Sequence, residues 1–242
     1  EAPSLVSELG FVLPYSTARG QREMFRLGTI LYDLLAPKWK HRGLSLQEVH
    51  RLIPQLSAPW LAGAYLYYDA VMDDARMVLR LIQETCQEGG TALNYARVEK
   101  LLTLRDGTVC GVALSDQSPT ALGSQELRAR VVINAAGPWC DGLRRQVNAP
   151  GRLRPQRGSH LIFPKEKLSL PHAVTLLHPK DGRAMFAIPW EGATIIGTTD
   201  LDHPSSLDNG EPYCTQAEID YILEAADAIF PSVKLNQADA LS

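Results

Sequence analysis

The sequence predicts a mixed α/β (α+β) protein in which an α/β part is interleaved with an antiparallel-sheet part. Three observations lead there. Between residues 73 and 147, an amphipathic helical pattern, a hairpin and an unalternated apolar run follow one another. Between residues 148 and 215, short apolar runs are separated by tight-turn signals, the mark of an antiparallel meander. The chain has 242 residues, 45% hydrophobic and 21% charged, enough for one large domain or two small ones with a sizeable core. This composition excludes disorder, collagen and coiled coil. A net charge of −3 lacks the basic excess of a nucleic-acid binder. No apolar run approaches the roughly 20 residues of a bilayer span, and no signal peptide is expected from these residues.

Residues 1–62 read as helical and proline-punctuated. Met24, Leu27, Leu31, Leu34 and Leu35 recur on one face of a helix over 21–36 at the 3.6-residue period. Ser45 and Glu48 have the spacing of a capping box, ahead of a short helix carrying Val49, Leu52 and Ile53. Pro54 and Pro59 close this stretch.

Residues 63–147 read as the α/β part. A strand over 63–72 leads into Asp73-Asp74, two acids suited to the positive end of a helix. That helix runs to about residue 88, with Met77, Val78, Leu81, Ile82 and Cys86 expected inside and Gly89-Gly90 as its stop. A short strand is expected at 91–96. A hairpin over 97–115 turns at Asp106-Gly107, and a polar loop follows at 118–124. The run Val131-Val132-Ile133 reads as a parallel strand buried on both faces, with Pro138 opening a helix to about residue 147.

Residues 148–242 read as the antiparallel part. Strands are expected near 157–163, 173–178, 183–189 and 193–199, the last three separated by Asp181-Gly182 and Glu191-Gly192. Thr215 and Glu218 cap a final helix with Ile219, Ile222, Leu223, Ala226 and Ile229 facing inward. An α/β part interleaved with such a meander suits a nucleotide-type domain and a substrate domain.

Cys86, Cys110, Cys140 and Cys214 form no C-x-x-C pair and have no histidine at metal spacing. They read as reduced cytosolic thiols buried as small hydrophobes. Asp69, Asp73 and Asp74 read as caps and no metal site is expected. The chain starts at Glu1 and ends after Gln237–Ser242 without a terminating element, which reads as a piece of a longer protein.

Three segments could carry chemistry. Val131-Val132-Ile133-Asn134-Ala135-Ala136-Gly137-Pro138 sets small residues between a buried strand and a helix, where backbone N–H groups can meet a ligand. Chemistry alone leaves it equally a tight turn. Arg157-Gly158-Ser159-His160 places an imidazole, the side chain best able to exchange a proton near neutral pH, beside two small residues. A lone histidine is otherwise more often structural. Gly197-Thr198-Thr199-Asp200 offers two hydroxyls and a carboxylate at a strand end, and alone reads as a capped turn. There is no G-x-G-x-x-G, Walker loop or G-x-S-x-G elbow. The residues by themselves support a ligand-binding α/β protein.

Taken in order, these segments resemble the FAD-dependent glycerol-3-phosphate dehydrogenases, within the glycine/D-amino-acid-oxidase-like flavoproteins. The resemblance rests on Phe11-Val12-Leu13-Pro14, Leu31-Tyr32-Asp33, Tyr68-Asp69-Ala70 and Asp73-Asp74-Ala75-Arg76. It continues through Ile133-Asn134-Ala135-Ala136-Gly137-Pro138-Trp139, Gly158-Ser159-His160, Phe186-Ala187-Ile188-Pro189-Trp190 and Ile195-Ile196-Gly197-Thr198-Thr199-Asp200. It implies an FAD-binding domain interleaved with a substrate domain. The family's glycine-rich pyrophosphate loop would precede residue 1, and its phosphate-gripping arginines would lie mainly beyond residue 242. On this likeness, residues 1–62 are a helical part of the substrate or cap domain, 63–147 part of the FAD-binding domain, and 148–242 the substrate domain.

The resemblance implies that His160 is the proton acceptor from the C2 hydroxyl of sn-glycerol 3-phosphate, as hydride passes to flavin and dihydroxyacetone phosphate forms. It implies that Val98, Ala135, Gly137 and Trp139 meet FAD. Ser159, Thr199 and Asp200 fall near the substrate without an assigned role. Arg157 stands where the family often has Lys, and Ala136 where it often has Thr. A quinone or oxygen as electron acceptor, a cytoplasmic location and contact with the inner membrane face are further implications. Without the glycine-rich loop, this polypeptide alone is expected to hold no FAD. Two alternatives stay open: an amine or amino-acid oxidase of the same class, and a binding module that lost its cofactor.

Overall fold

The computed structural model describes residues 5–36, 40–120, 123–203 and 213–242. Along the chain run β1 (Val6–Ser16), α1 (Gln21–Leu35), β2 (Arg42–Ser45), α2 (Leu46–Leu52), β3 (Leu61–Met72), α3 (Asp74–Gln87), β4 (Ala96–Thr103), β5 (Val109–Asp116) and β6 (Ser124–Arg128). There follow a 3₁₀ turn (Gly137–Trp139), α4 (Cys140–Arg145), β7 (Gln156–Arg157), β8 (His160–Pro164), β9 (Ala173–Leu177), β10 (Ala184–Trp190), β11 (Ala193–Gly197), β12 (Leu201–Asp202) and α5 (Gln216–Ile229). The fold is mixed α/β. Two compact units form, one from residues 1–74, 157–201 and 212–242, the other from 75–156 and 202–211.

The first unit is built on a seven-stranded sheet in the order β2-β3-β1-β9-β10-β11-β8. The meander expected from the turn signals is there, β9 to β10 to β11 with β8 beside β11, all antiparallel. A single parallel junction, β1 against β9, joins it to the N-terminal strands. One face of the sheet buries Val12, Leu66, Phe163, Val174, Leu176, Met185, Ala187 and Ile196 against Ile222, Ala225, Ala226 and Ile229 of α5 and against Val49 of α2 and Ile53 at its end. Both helices start with the expected capping boxes, Ser45 with Glu48 and Thr215 with Glu218.

Several expectations need correction here. The stretch 1–62 is not purely helical, because its first element is an 11-residue strand near the middle of the sheet. β1 has no two-residue alternation in burial, since both its faces are covered. Pro14 within it, paired with Ala64, also argues against a strand on sequence grounds. Residues 63–72, placed with the α/β part, instead pair with β1 and β2. The leucine stripe of α1 points outward, with Leu27 68% and Leu35 77% exposed. The residues α1 buries are Thr29 and Asp33, whose carboxylate lies 2.6 Å from His41 Nδ1.

In the second unit, β4, β5 and β6 form an antiparallel sheet. Gly107 sits at φ 87° in the β4–β5 turn, as its sequence predicts. β6 has no counterpart among the expected strands, and residues 121–122 of the polar loop before it lie outside the described residues. The expected strand at 91–96 is absent up to Tyr95, and pairing starts at Ala96. The run 131–133 is not a strand: Val131 and Ile133 are 73% and 84% exposed, and no strand among the described residues pairs with them. An apolar run becomes a parallel strand only when neighbours satisfy its backbone. The apolar residues expected inside α3 are likewise uncovered, Val78, Leu81 and Ile82 being exposed. Cys86 on that helix is exposed and the other cysteines are half-buried, all four free, so none is the buried hydrophobe expected.

Candidate functional site

His160 opens β8 and pairs with Gly197 at the end of β11. Its side chain is accessible, and among the described residues neither ring nitrogen has a hydrogen-bond partner. Crowding by protein atoms still holds the imidazole below its ordinary pKa, because desolvation penalises the charged form. Directly paired residues share a face of the sheet. His160 therefore shares its face with Phe186, the other partner of Gly197. Phe186 meets Phe11 edge-on at 5.8 Å, Phe11 stacks on Tyr67 at 5.4 Å, and Tyr67 meets Tyr32 of α1 at 5.4 Å. Burial, aided by a hydrogen bond to Asp69, pushes the Tyr32 hydroxyl up to about 12. The face carrying His160 is thus apolar and aromatic.

Behind His160 lies a buried carboxylate that sequence reasoning identifies only as a helix cap. Glu218 is 2% exposed. Its oxygens accept from Arg157 at 2.8 Å, the Ser159 hydroxyl at 2.8 Å, the Thr199 hydroxyl at 3.0 Å and both the N–H and hydroxyl of Thr215 at 2.9 and 2.7 Å. Burial alone would raise its pKa. The hydrogen bonds from Thr215, Ser159 and Arg157 outweigh it and bring the value down to about 2. Thr199 also accepts from the Ser159 N–H at 2.9 Å, tying the segment before β8 to the one after β11.

Ser159 and Thr199 are therefore buried and committed to Glu218. Asp200 is on the surface, paired with Arg183 at 2.7 Å. Gly158 does not make room for His160: a Cβ there would collide with Thr198 and lie 2.9 Å from the Thr199 carbonyl. No cluster of His, Cys, Asp or Glu suited to a metal ion occurs among the described residues.

The second unit holds a separate candidate. A cavity of about 1060 Å³ is lined by Val98, Leu101, Val132, Ile133, Ala135, Trp139 and neighbouring residues. Three of the four proposed cofactor contacts, Val98, Ala135 and Trp139, thus share one cavity. Gly137 lines an adjacent one of about 530 Å³, with Asp141, Arg144 and Arg152. Gly137 has φ 53°, a left-handed conformation that favours glycine. Asn134 shapes the turn, its side chain accepting from Ala136 N–H and donating to the Cys140 carbonyl. Gln146 escapes sequence reasoning. Its amide accepts from Leu101 N–H at 2.8 Å and donates to the Glu99 carbonyl at 3.1 Å, fixing β4 as one wall of the cavity. The only local signal is an amide one position past a helix end. Ile133, Val98 and Trp139 remain exposed around the cavity, an apolar rim that fits a flat, partly apolar ligand.

The family model described as DAO, FAD dependent oxidoreductase, matches residues 2–241. The chain is 35% identical over 246 residues to a glycerol-3-phosphate dehydrogenase of Mycobacterium leprae (strain TN), covering 98% of this chain and 40% of that protein. It is 35% identical over 217 residues to an alpha-glycerophosphate oxidase of Enterococcus casseliflavus, covering 86% of this chain and 35% of that protein. The chain thus spans between 35% and 40% of the length of these relatives. Among solved structures, the glycerol-3-phosphate dehydrogenase of Bacillus halodurans complexed with FAD overlays with TM-score 0.83 and 30% identity, over 99% of this chain and 43% of that one. A glycine oxidase of Geobacillus kaustophilus, 17% identical, overlays at 0.68 over 95% of this chain and 57% of that one, a likeness of fold.

Proposed function

Because the chain belongs to the FAD-dependent oxidoreductase family, we propose that it serves in the oxidation of sn-glycerol 3-phosphate to dihydroxyacetone phosphate. The observation that carries this reading is the 35% identity to a glycerol-3-phosphate dehydrogenase across 98% of the chain. The unpartnered imidazole of His160 supports it from the chemistry.

Val98, Ala135 and Trp139 would hold part of FAD in the larger cavity, and Gly137 would let its backbone approach the ligand closely. Bound FAD supplies the two-electron acceptor for the hydride leaving C2 of the substrate. His160 takes the proton from the C2 hydroxyl. Its lowered pKa keeps the ring neutral, and so able to accept, below the usual histidine range. The aromatic face beside it, Phe186 and Phe11, excludes water from the reacting carbon. Quinone or oxygen takes the electrons onward, in a cytoplasmic setting at the inner membrane face. No helix of the described residues is long and apolar enough to cross a membrane.

The test is kinetic. In the complete, FAD-loaded protein, His160→Ala lowers turnover of glycerol 3-phosphate on the order of 10²–10⁴-fold, with the flavin spectrum retained. Wild-type turnover in the variant, or reduction of the flavin by glycine and not by glycerol 3-phosphate, would refute the proposal.

A further inference from the structure

Across the sheet, the positions of His160, Gly197 and Phe186 form one row. The middle position carries no side chain. A Cβ built on Gly197 would lie 2.5 Å from His160 Cδ2 and 3.0 Å from Cγ, closer than carbon atoms pack. The imidazole therefore lies across β11, filling the space a side chain would take. It approaches through its Cγ–Cδ2 edge, with both nitrogens farther from that point than either carbon.

The backbone does not require glycine here, since Gly197 is absent from the residues at positive φ. A Cβ would be opposed from two sides, by the ring and by the Ser159 carbonyl oxygen at 2.9 Å. We propose that Gly197 is a positioning residue for His160, its missing side chain forming the seat on which the imidazole is laid, an inference that rests on His160 being the proton acceptor. The seat is rigid. The third atom near the same point is the Ser159 carbonyl oxygen at 2.9 Å, and Ser159 and Thr199 on either side are held by Glu218. An alanine at 197 meets that carbonyl as well as the ring, and the ring is the partner that can turn off the strand.

Two measurements test this in the FAD-loaded protein. The first is a double-mutant cycle in thermal stability. Gly197→Ala lowers Tm in the parent, and by clearly less in the His160→Ala background, where the ring is gone. Equal losses in both backgrounds would assign the whole effect to the Ser159 carbonyl and overturn the proposal. The second is steady-state kinetics with glycerol 3-phosphate. Gly197→Ala lowers kcat roughly 10- to 100-fold, as misplacement of a reacting group by about 1 Å does, with KM within about threefold. Added to His160→Ala, it lowers kcat no further. Parent-like kcat in Gly197→Ala, or a full further loss in the double variant, overturns the seat. Parent-like kcat in His160→Ala instead overturns the proton-acceptor reading, with the stability cycle still reporting whether ring and Gly197 meet.

Discussion

Glu218→Gln is the most informative perturbation of the region behind His160. The carboxylate titrates at about 2 in the fold against an ordinary 4.5. A tenfold change in an ionisation constant corresponds to about 1.4 kcal/mol, so folding favours the charged form by about 3 kcal/mol. The folded pKa is depressed, so this stabilisation is complete above the unfolded value and is lost as pH falls from about 4.5 through about 2. Glutamine keeps the size and one acceptor oxygen. It also turns an NH₂ toward groups that donate to the carboxylate in the parent: Arg157, Ser159, Thr199 and Thr215. At pH 7 the variant should lose about 3 kcal/mol, or roughly 6–12 °C in Tm for a chain of this size. Urea denaturation of parent and variant at matched pH values between 7 and 2.5 is the assay. Asp33, Asp141 and Asp181 also titrate low, but they are common to both proteins and cancel in the difference. The deficit should shrink toward zero at the acid end. A deficit under about 1 kcal/mol at neutral pH, or one that does not change with pH, would refute the account of Glu218 as a buried, charged clasp.

Other outcomes follow from the second unit. In the complete protein, Trp139→Ala, at a half-exposed position on the cavity rim, should weaken FAD binding about tenfold or more with little change in Tm, as read by flavin fluorescence titration. Gln146→Ala removes both hydrogen bonds between the α4 end and β4 and should cost about 1–3 kcal/mol in urea denaturation. It should also loosen the backbone at Val98, seen as faster amide exchange there. The 242-residue polypeptide expressed alone should purify without stoichiometric flavin, since it has no glycine-rich pyrophosphate loop. A yellow, stoichiometric product on absorbance would contradict this.

Local signals in the sequence are legible. The capping boxes at Ser45 and Thr215, the Asp106-Gly107 turn and the four meander strands each depend on residues a few positions apart. What requires distant partners is less so. The period of Met24, Leu27 and Leu31 identifies an apolar stripe but not what covers it. Val131-Val132-Ile133 has the composition of a buried strand, yet a strand exists only with a neighbour to pair with. β1 is hidden because burial on both faces erases the alternation that would announce it. At the candidate site, His160, Ala135 and Trp139 are visible through motif resemblance. Glu218 is not, because the groups it binds at Arg157, Ser159 and Thr199 lie 61, 59 and 19 residues away. Gly197 shows in the sequence as part of a strand end, and its contact with His160 depends on a register that sequence does not specify.

The single parallel junction of the large sheet governs how this chain must be made. β1 meets β9 through Phe11 beside Ala173 and Val12 beside Val174. The ribosome therefore delivers the antiparallel β2-β3-β1 ladder with the β1 edge open, and that edge stays unpaired until residue 174 has emerged. Meanwhile β4, β5 and β6 can close on one another at once, since their pairing needs only residues 96–128. Loop-closure entropy rises slowly with length, so the finished sheet is little weakened by its distant halves. The exposure falls instead on the waiting edge of β1, an open β-edge of the kind through which chains aggregate. Slowing translation between residues 75 and 172 should lengthen that window and lower the soluble yield.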